Sequence, residues 1–139
     1  MCPCRARSSH LVPDLPTVFI CYRREDTADV TDRLYGDLCD ELGEEQVFYD
    51  AESIAGGHDY EVRMLAEASK SEVLIAMIGP NWQPERLHNP GDAVAKELQA
   101  AFDGQVELRP VLAGSRAQMP HSTALPDSLK WFQKRNAVP

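Results

Sequence analysis

The chain contains no run of about 18 apolar residues, the length a membrane-spanning helix requires, so no such helix is expected in its 139 residues. It also has no basic excess: 14 Lys and Arg stand against 22 Asp and Glu, for a formal net charge of −8. Broad nucleic-acid binding needs a basic face, so direct nucleic-acid contact is not expected. A local spot such as Arg23-Arg24 can still hold one phosphate group. Residues 1–10 carry no apolar signal-peptide core, which makes a cytoplasmic protein the expectation. Cysteines number only four. Cys2 and Cys4, with His10, sit on a polar leader without a second ligand pair nearby, a poor zinc set, and no metal is expected. Cys21 and Cys39 fall in apolar segments, where a thiol acts as a small hydrophobe. No internal repeat and no low-complexity segment is present.

What remains is enough apolar residue for one core, 43 % of the chain, and a length that suits one domain. Residues 1–16 read as a disordered leader. Thr17–Tyr22 is short, β-branched and aromatic, and predicts a strand. A helix follows, capped by Asp26 or Thr27. Val30, Leu34, Leu38 and Leu42 recur every four residues along it, and Gly43 ends it. Gln46–Asp50 predicts a second strand. The loop 51–57 contains Gly56-Gly57, and Asp59 is expected to cap the next helix, with either Val62, Leu65, Ala66 and Ser69 or Met64 and Ala68 facing inward.

The continuous apolar run Val73–Ile78 predicts a central parallel strand covered on both faces. After a loop with Trp82, residues 92–102 predict a helix with Val94, Leu98 and Ala101 inward. Leu108–Leu112 predicts a fourth strand, near an edge because Pro110 lacks a ladder donor. Residues 127–134 read as a short helical turn and 136–139 as the start of a fifth strand. Alternating strands and helices imply a parallel α/β sheet with helices on both faces. No helix follows the fifth strand to cover the second face, so residues 17–139 are expected to be the N-terminal module of a longer protein.

In such a sheet the loops at the carboxyl ends of the strands line one crevice. Arg23 and Arg24 follow the first strand, and Glu97 lies on the third helix beside its apolar stripe. Arginine forks suit phosphate, and a fixed carboxylate suits a developing positive charge. The competing readings are ordinary ones. The arginines can pair with Glu25, Asp26 or Asp50, and Glu97 can be a solvated helix residue beside Lys96 or Gln99. Trp82 can anchor its loop, and His58 can be a solvated loop histidine.

Val18-Phe-Ile-Cys-Tyr-Arg-Arg-Glu-Asp26 resembles the first box of bacterial Toll/interleukin-receptor (TIR) domains. Val47-Phe-Tyr-Asp50 through Ser53-Ile-Ala-Gly-Gly-His-Asp59 resembles the second box, and Leu74-Ile-Ala-Met-Ile-Gly-Pro-Asn-Trp82 the third strand and its loop. Arg109-Pro-Val-Leu112 and Lys134-Arg-Asn-Ala-Val138 are similar to the fourth and fifth strands. The resemblance covers residues 17–139 in order. It implies a flavodoxin-like five-stranded sheet in order 2-1-3-4-5, with the final helix missing from this chain.

The resemblance also implies function. Many bacterial and plant members cleave the nicotinamide–ribose bond of NAD⁺, to linear or cyclic ADP-ribose, in immune or stress signalling. Others only self-associate into scaffolds. Glu97 then aligns with the catalytic glutamate. Tyr22, Arg23, Arg24, Asp50, Trp82 and Ala93 fall at the substrate pocket, with Ala93 where many members carry an aromatic residue. Ile54, Gly56, Gly57 and His58 belong to a gating and assembly loop, and Cys21 stands where the family usually has Ser. Expected partners are NAD⁺ as substrate rather than cofactor, further copies of the domain in an oligomer or filament, and a C-terminal sensor domain. A deoxyribosyltransferase-like nucleoside enzyme with a nucleophilic glutamate is a further alternative; a phosphoacceptor receiver fits less well, because it wants acids where Arg23-Arg24 stand.

Overall fold

A computed structural model describes residues 16–49 and 57–134 of the chain. Four strands, β1 (Val18–Cys21), β2 (Val47–Tyr49), β3 (Val73–Ile78) and β4 (Glu107–Leu112), alternate with three helices, α1 (Arg24–Leu42), α2 (Gly57–Lys70) and α3 (Ala93–Asp103). The strands pair in the order β2-β1-β3-β4, all parallel. The sheet of the described residues therefore has four strands rather than the five expected. The segment expected to form the fifth lies outside the described residues.

Parallel pairing forces every connection to cross back over a face, and the strand sequences record which face each residue serves. Phe19 and Cys21 of β1, with Leu74, Ala76 and Ile78 of β3, join Ala68 of α2 and Val94, Leu98 and Ala101 of α3 in the larger core. Val18, Ile20 and Met77 point the other way and pack with Val47 and with Cys39, Leu34 and Leu38 of α1. Pro110 sits on β4, which is an edge strand among the described residues, so its missing donor faces no partner strand there.

Two expectations are corrected, and one left open is decided. On α1 the buried residues are Thr27, Thr31 and Cys39, while Val30 is 37 % exposed. Thr27 has a non-helical backbone (φ −134°, ψ 27°) that kinks the helix and shifts its apolar phase. On α2, Met64 and Ala68 face the core and Val62 is 52 % exposed, which decides between the two sets read from sequence. Helix α2 also begins at Gly57, so Gly57 and His58 lie in its first turn and Asp59 is not its cap.

Gly43 ends α1 as expected, with φ 97° and its N–H on the Cys39 carbonyl. The last described segment, Asp127–Lys134, forms 3-10 turns that deliver Leu129 and Phe132 to the larger core. No helix among the described residues is long and apolar enough to cross a membrane.

Candidate functional site

The sheet order reverses between β1 and β3: β2 lies on one side of β1 and β4 beyond β3. At such a switch point the segments leaving the two strands part and open a crevice at their carboxyl ends. From β1 the chain passes through Tyr22 and Arg23 into α1. From β3 it runs through residues 79–92 into α3.

These two segments are stapled together by side chains. Asp26, in the first turn of α1, accepts the Gly79 N–H at 2.8 Å and the Asn81 N–H at 2.9 Å. It was expected to cap α1; instead Arg23 occupies the cap position without a side-chain bond, and Asp26 holds the far loop. The approach is close enough to require glycine. A Cβ on Gly79 would lie 2.4 Å from Asp26 Oδ1 and 2.7 Å from Thr27 Cγ2.

Arg23 is the second staple. It is 3 % exposed, and its guanidinium is fully engaged on both edges. Nη1 and Nη2 donate to Asp92 Oδ1 and Oδ2 at 2.7 and 3.1 Å, and Nε donates to the Trp82 carbonyl. Asp92 in turn caps α3, accepting the Ala95 N–H at 3.0 Å. Arg86 adds a second positive charge 3.9 Å from Asp92 and binds Glu25 at 2.7 Å. Two arginines thus face one buried carboxylate, which offsets part of the desolvation that burying the pair costs. Arg23 was read as pairing with phosphate or with Glu25, Asp26 or Asp50. Its partner here is none of these.

Glu97 stands about one turn into α3, and its side chain faces inward at 5 % exposure. Neither neighbour considered as its partner takes that role. Lys96 bonds Glu61, and Gln99 bonds Asp103. The carboxyl instead accepts the thiol of Cys21, the last residue of β1. Burial pushes the Cys21 thiol well above its ordinary range; the Glu97 charge and hydrogen bond push it further, while Arg23 opposes them.

The other expected residues divide. Trp82 is buried; Phe132 stacks on it with ring centres 5.6 Å apart, and the Arg23 guanidinium carbon lies 5.7 Å from its ring centre. Tyr22 turns toward the α1 face, its ring 5.8 Å from Tyr49, which stacks on Tyr35. Arg24 is exposed at the start of α1. Ala93 begins α3 and is exposed, so it does not share the environment of Glu97 one turn later. Asp50, Ile54 and Gly56 lie outside the described residues, as do Cys2, Cys4, His10 and the His58 side chain. Glu97, Cys21, Arg23, Asp92 and Trp82 come together.

Sequence reading took Asp92 only as the start of a helix and Cys21 only as packing. One signal was available. An arginine directly after a buried strand is itself near burial, and a buried cation needs an anion.

The chain matches the TIR domain family over residues 18–137. It belongs to the TIR-domain family. No curated protein is similar enough to count as a relative. The TIR fold explains why the first box and the segment before α3 meet at a switch point. At the level of the family, this TIR domain serves signalling or NAD⁺ cleavage. Among its described residues no group of three or more His, Cys, Asp and Glu stands close enough to hold a metal ion.

Proposed function

We propose that this TIR domain is an NAD⁺ glycohydrolase or cyclase, activated by self-association in a bacterial immune or stress response, with Glu97 as its catalytic residue. The observation that carries the reading is the inward carboxyl of Glu97 at the carboxyl end of β1, 5 % exposed and bonded to Cys21. A carboxylate in that position would face the ribose of a dinucleotide bound in the crevice. As the glycosidic bond breaks, its electron pair passes to the nicotinamide nitrogen, which leaves neutral, and positive charge develops on the ribose. A fixed anion lowers the energy of that state more than of the ground state. Water, or a nitrogen of the substrate's own adenine, then takes the vacated carbon. Glycosidases use carboxylates on the same logic.

Access supports activation by assembly. Glu97 is 5 % exposed, so a substrate reaches it only when the crevice opens, and a second copy that shifts the crevice would switch activity on. Arg23 is not available to a phosphate, because every nitrogen of its guanidinium is already engaged. The test is chromatography of NAD⁺ incubated with concentrated full-chain protein. Nicotinamide and ADP-ribose should accumulate with wild type and not with Glu97→Ala; equal release by both removes the assignment.

A non-catalytic TIR–TIR scaffold is the second reading. The same burial of Glu97 and the exposed Ala93 in place of an aromatic wall favour it. Self-association that survives Glu97→Gln, with no NAD⁺ loss by wild type at any concentration, would select it.

A further inference from the structure

The segment between β3 and α3 and the loop after β4 enclose a cleft of about 410 Å³, inside the size range of small-molecule sites. It lies beyond Glu97, which is not on its wall. Its composition departs from that of the chain. Acids outnumber bases 22 to 14 overall, yet no Asp or Glu lines this cleft. Arg116 and His121 do line it, both exposed, and among the described residues neither side chain has a hydrogen-bond or ion-pair partner. Gln83 and Gln118 add two amides. Met119 and three proline rings supply apolar wall. Trp82 also lines it, and its buried Nε1 has no hydrogen-bond partner among the described residues. A native buried donor without an acceptor is uncommon and calls for one.

We infer that this cleft binds a phosphate-bearing molecule of mononucleotide size. Arg116 supplies the paired donors a phosphate takes, and the His121 ring adds a further N–H donor. The proline and Met119 wall suits the flat face of a base, and a glutamine amide both donates and accepts, as a base edge requires. Trp82 links the cleft to the catalytic side. Its carbonyl holds Arg23 Nε, and Arg23 holds the cap of the helix that carries Glu97. A ligand bearing on Trp82 is therefore an effector of Glu97 rather than a substrate. The binding claim stands independently of NAD⁺ cleavage.

The test is titration of the full chain with AMP, adenosine and inorganic phosphate, by calorimetry on wild type and by fluorescence in a Trp131→Phe background, where Trp82 is the remaining tryptophan. AMP should saturate below about 1 mM, with phosphate and adenosine each at least about tenfold weaker. Arg116→Glu should abolish AMP binding. Any of four outcomes overturns the inference. AMP fails to saturate by about 10 mM; it binds Arg116→Glu as it binds wild type; or its binding is lost in Glu97→Gln, which places the nucleotide in the other crevice. A change of oligomeric state in Arg116→Glu without AMP binding by wild type also overturns it, because the cleft then receives a second copy. If Trp131→Phe unfolds the domain, calorimetry on wild type and Arg116→Glu decides.

Discussion

Arg23 and Asp92 lie 69 positions apart in the chain and form a two-bonded ion pair at 2.7 and 3.1 Å, both residues at least nine-tenths buried. Because Asp92 also caps α3, this pair fixes the start of the helix that carries Glu97 against the turn that follows β1.

Asp92→Asn keeps an acceptor for the helix cap but strands a buried guanidinium. Breaking such a pair costs about 3–5 kcal/mol. Arg23→Met should cost a similar amount, and the double variant should cost clearly less than the sum, because no charge is then left buried. Denaturant unfolding of the four proteins checks this. Additive losses would show that the pair is not an energetic unit.

Gly79→Ala forces a Cβ against Asp26 and Thr27, and overpacking of this kind costs about 1–3 kcal/mol. In an Asp26→Ala background the nearest obstacle is gone, so the same substitution should cost less. Thermal unfolding of the two pairs reads the difference. An equal loss in both backgrounds would place the strain at Thr27 alone.

Cys21 gives the domain an alkaline limit. Its folded pKa is raised, so its contribution to stability is complete below the ordinary thiol range near about pH 8.5 and declines as pH rises above it. Tyr49, pushed up to about 12 chiefly by burial and by its bond to Asp32, acts with the same sign at higher pH. Denaturant stability should therefore fall between pH 7 and pH 10 in wild type, and fall less in Cys21→Ala. A Cys21→Ala profile parallel to wild type would contradict the raised pKa of the buried thiol.

Much of the fold is legible in local sequence. The run Val73–Ile78 declares a central strand, and Val94, Leu98 and Ala101 declare the buried face of α3, because each pattern is complete within a few residues. The stripe on α1 misleads. Val30 keeps the four-residue spacing of Leu34 and Leu38, but the kink at Thr27 turns Thr27 and Thr31 inward and leaves Val30 outside. Asp26 has the chemistry of a cap at the place a cap is wanted, and its real partners, the Gly79 and Asn81 amides, are more than fifty residues away. The site follows the same division. Glu97 is readable as an inward residue from its place beside the apolar stripe, while its bond to Cys21 and the pairing of Arg23 with Asp92 depend on which strands become neighbours.

Glu97→Gln preserves shape and hydrogen bonding while removing the charge. The most direct measurement is therefore the rate of nicotinamide release per protomer, followed over a range of protein concentration, for wild type and for Glu97→Gln with unfolding midpoints recorded beside it. Wild-type release per protomer should climb steeply as copies assemble, and Glu97→Gln should fall by at least about a hundredfold while remaining folded and assembled. A folded Glu97→Gln protein that releases nicotinamide as fast as wild type would contradict the central claim.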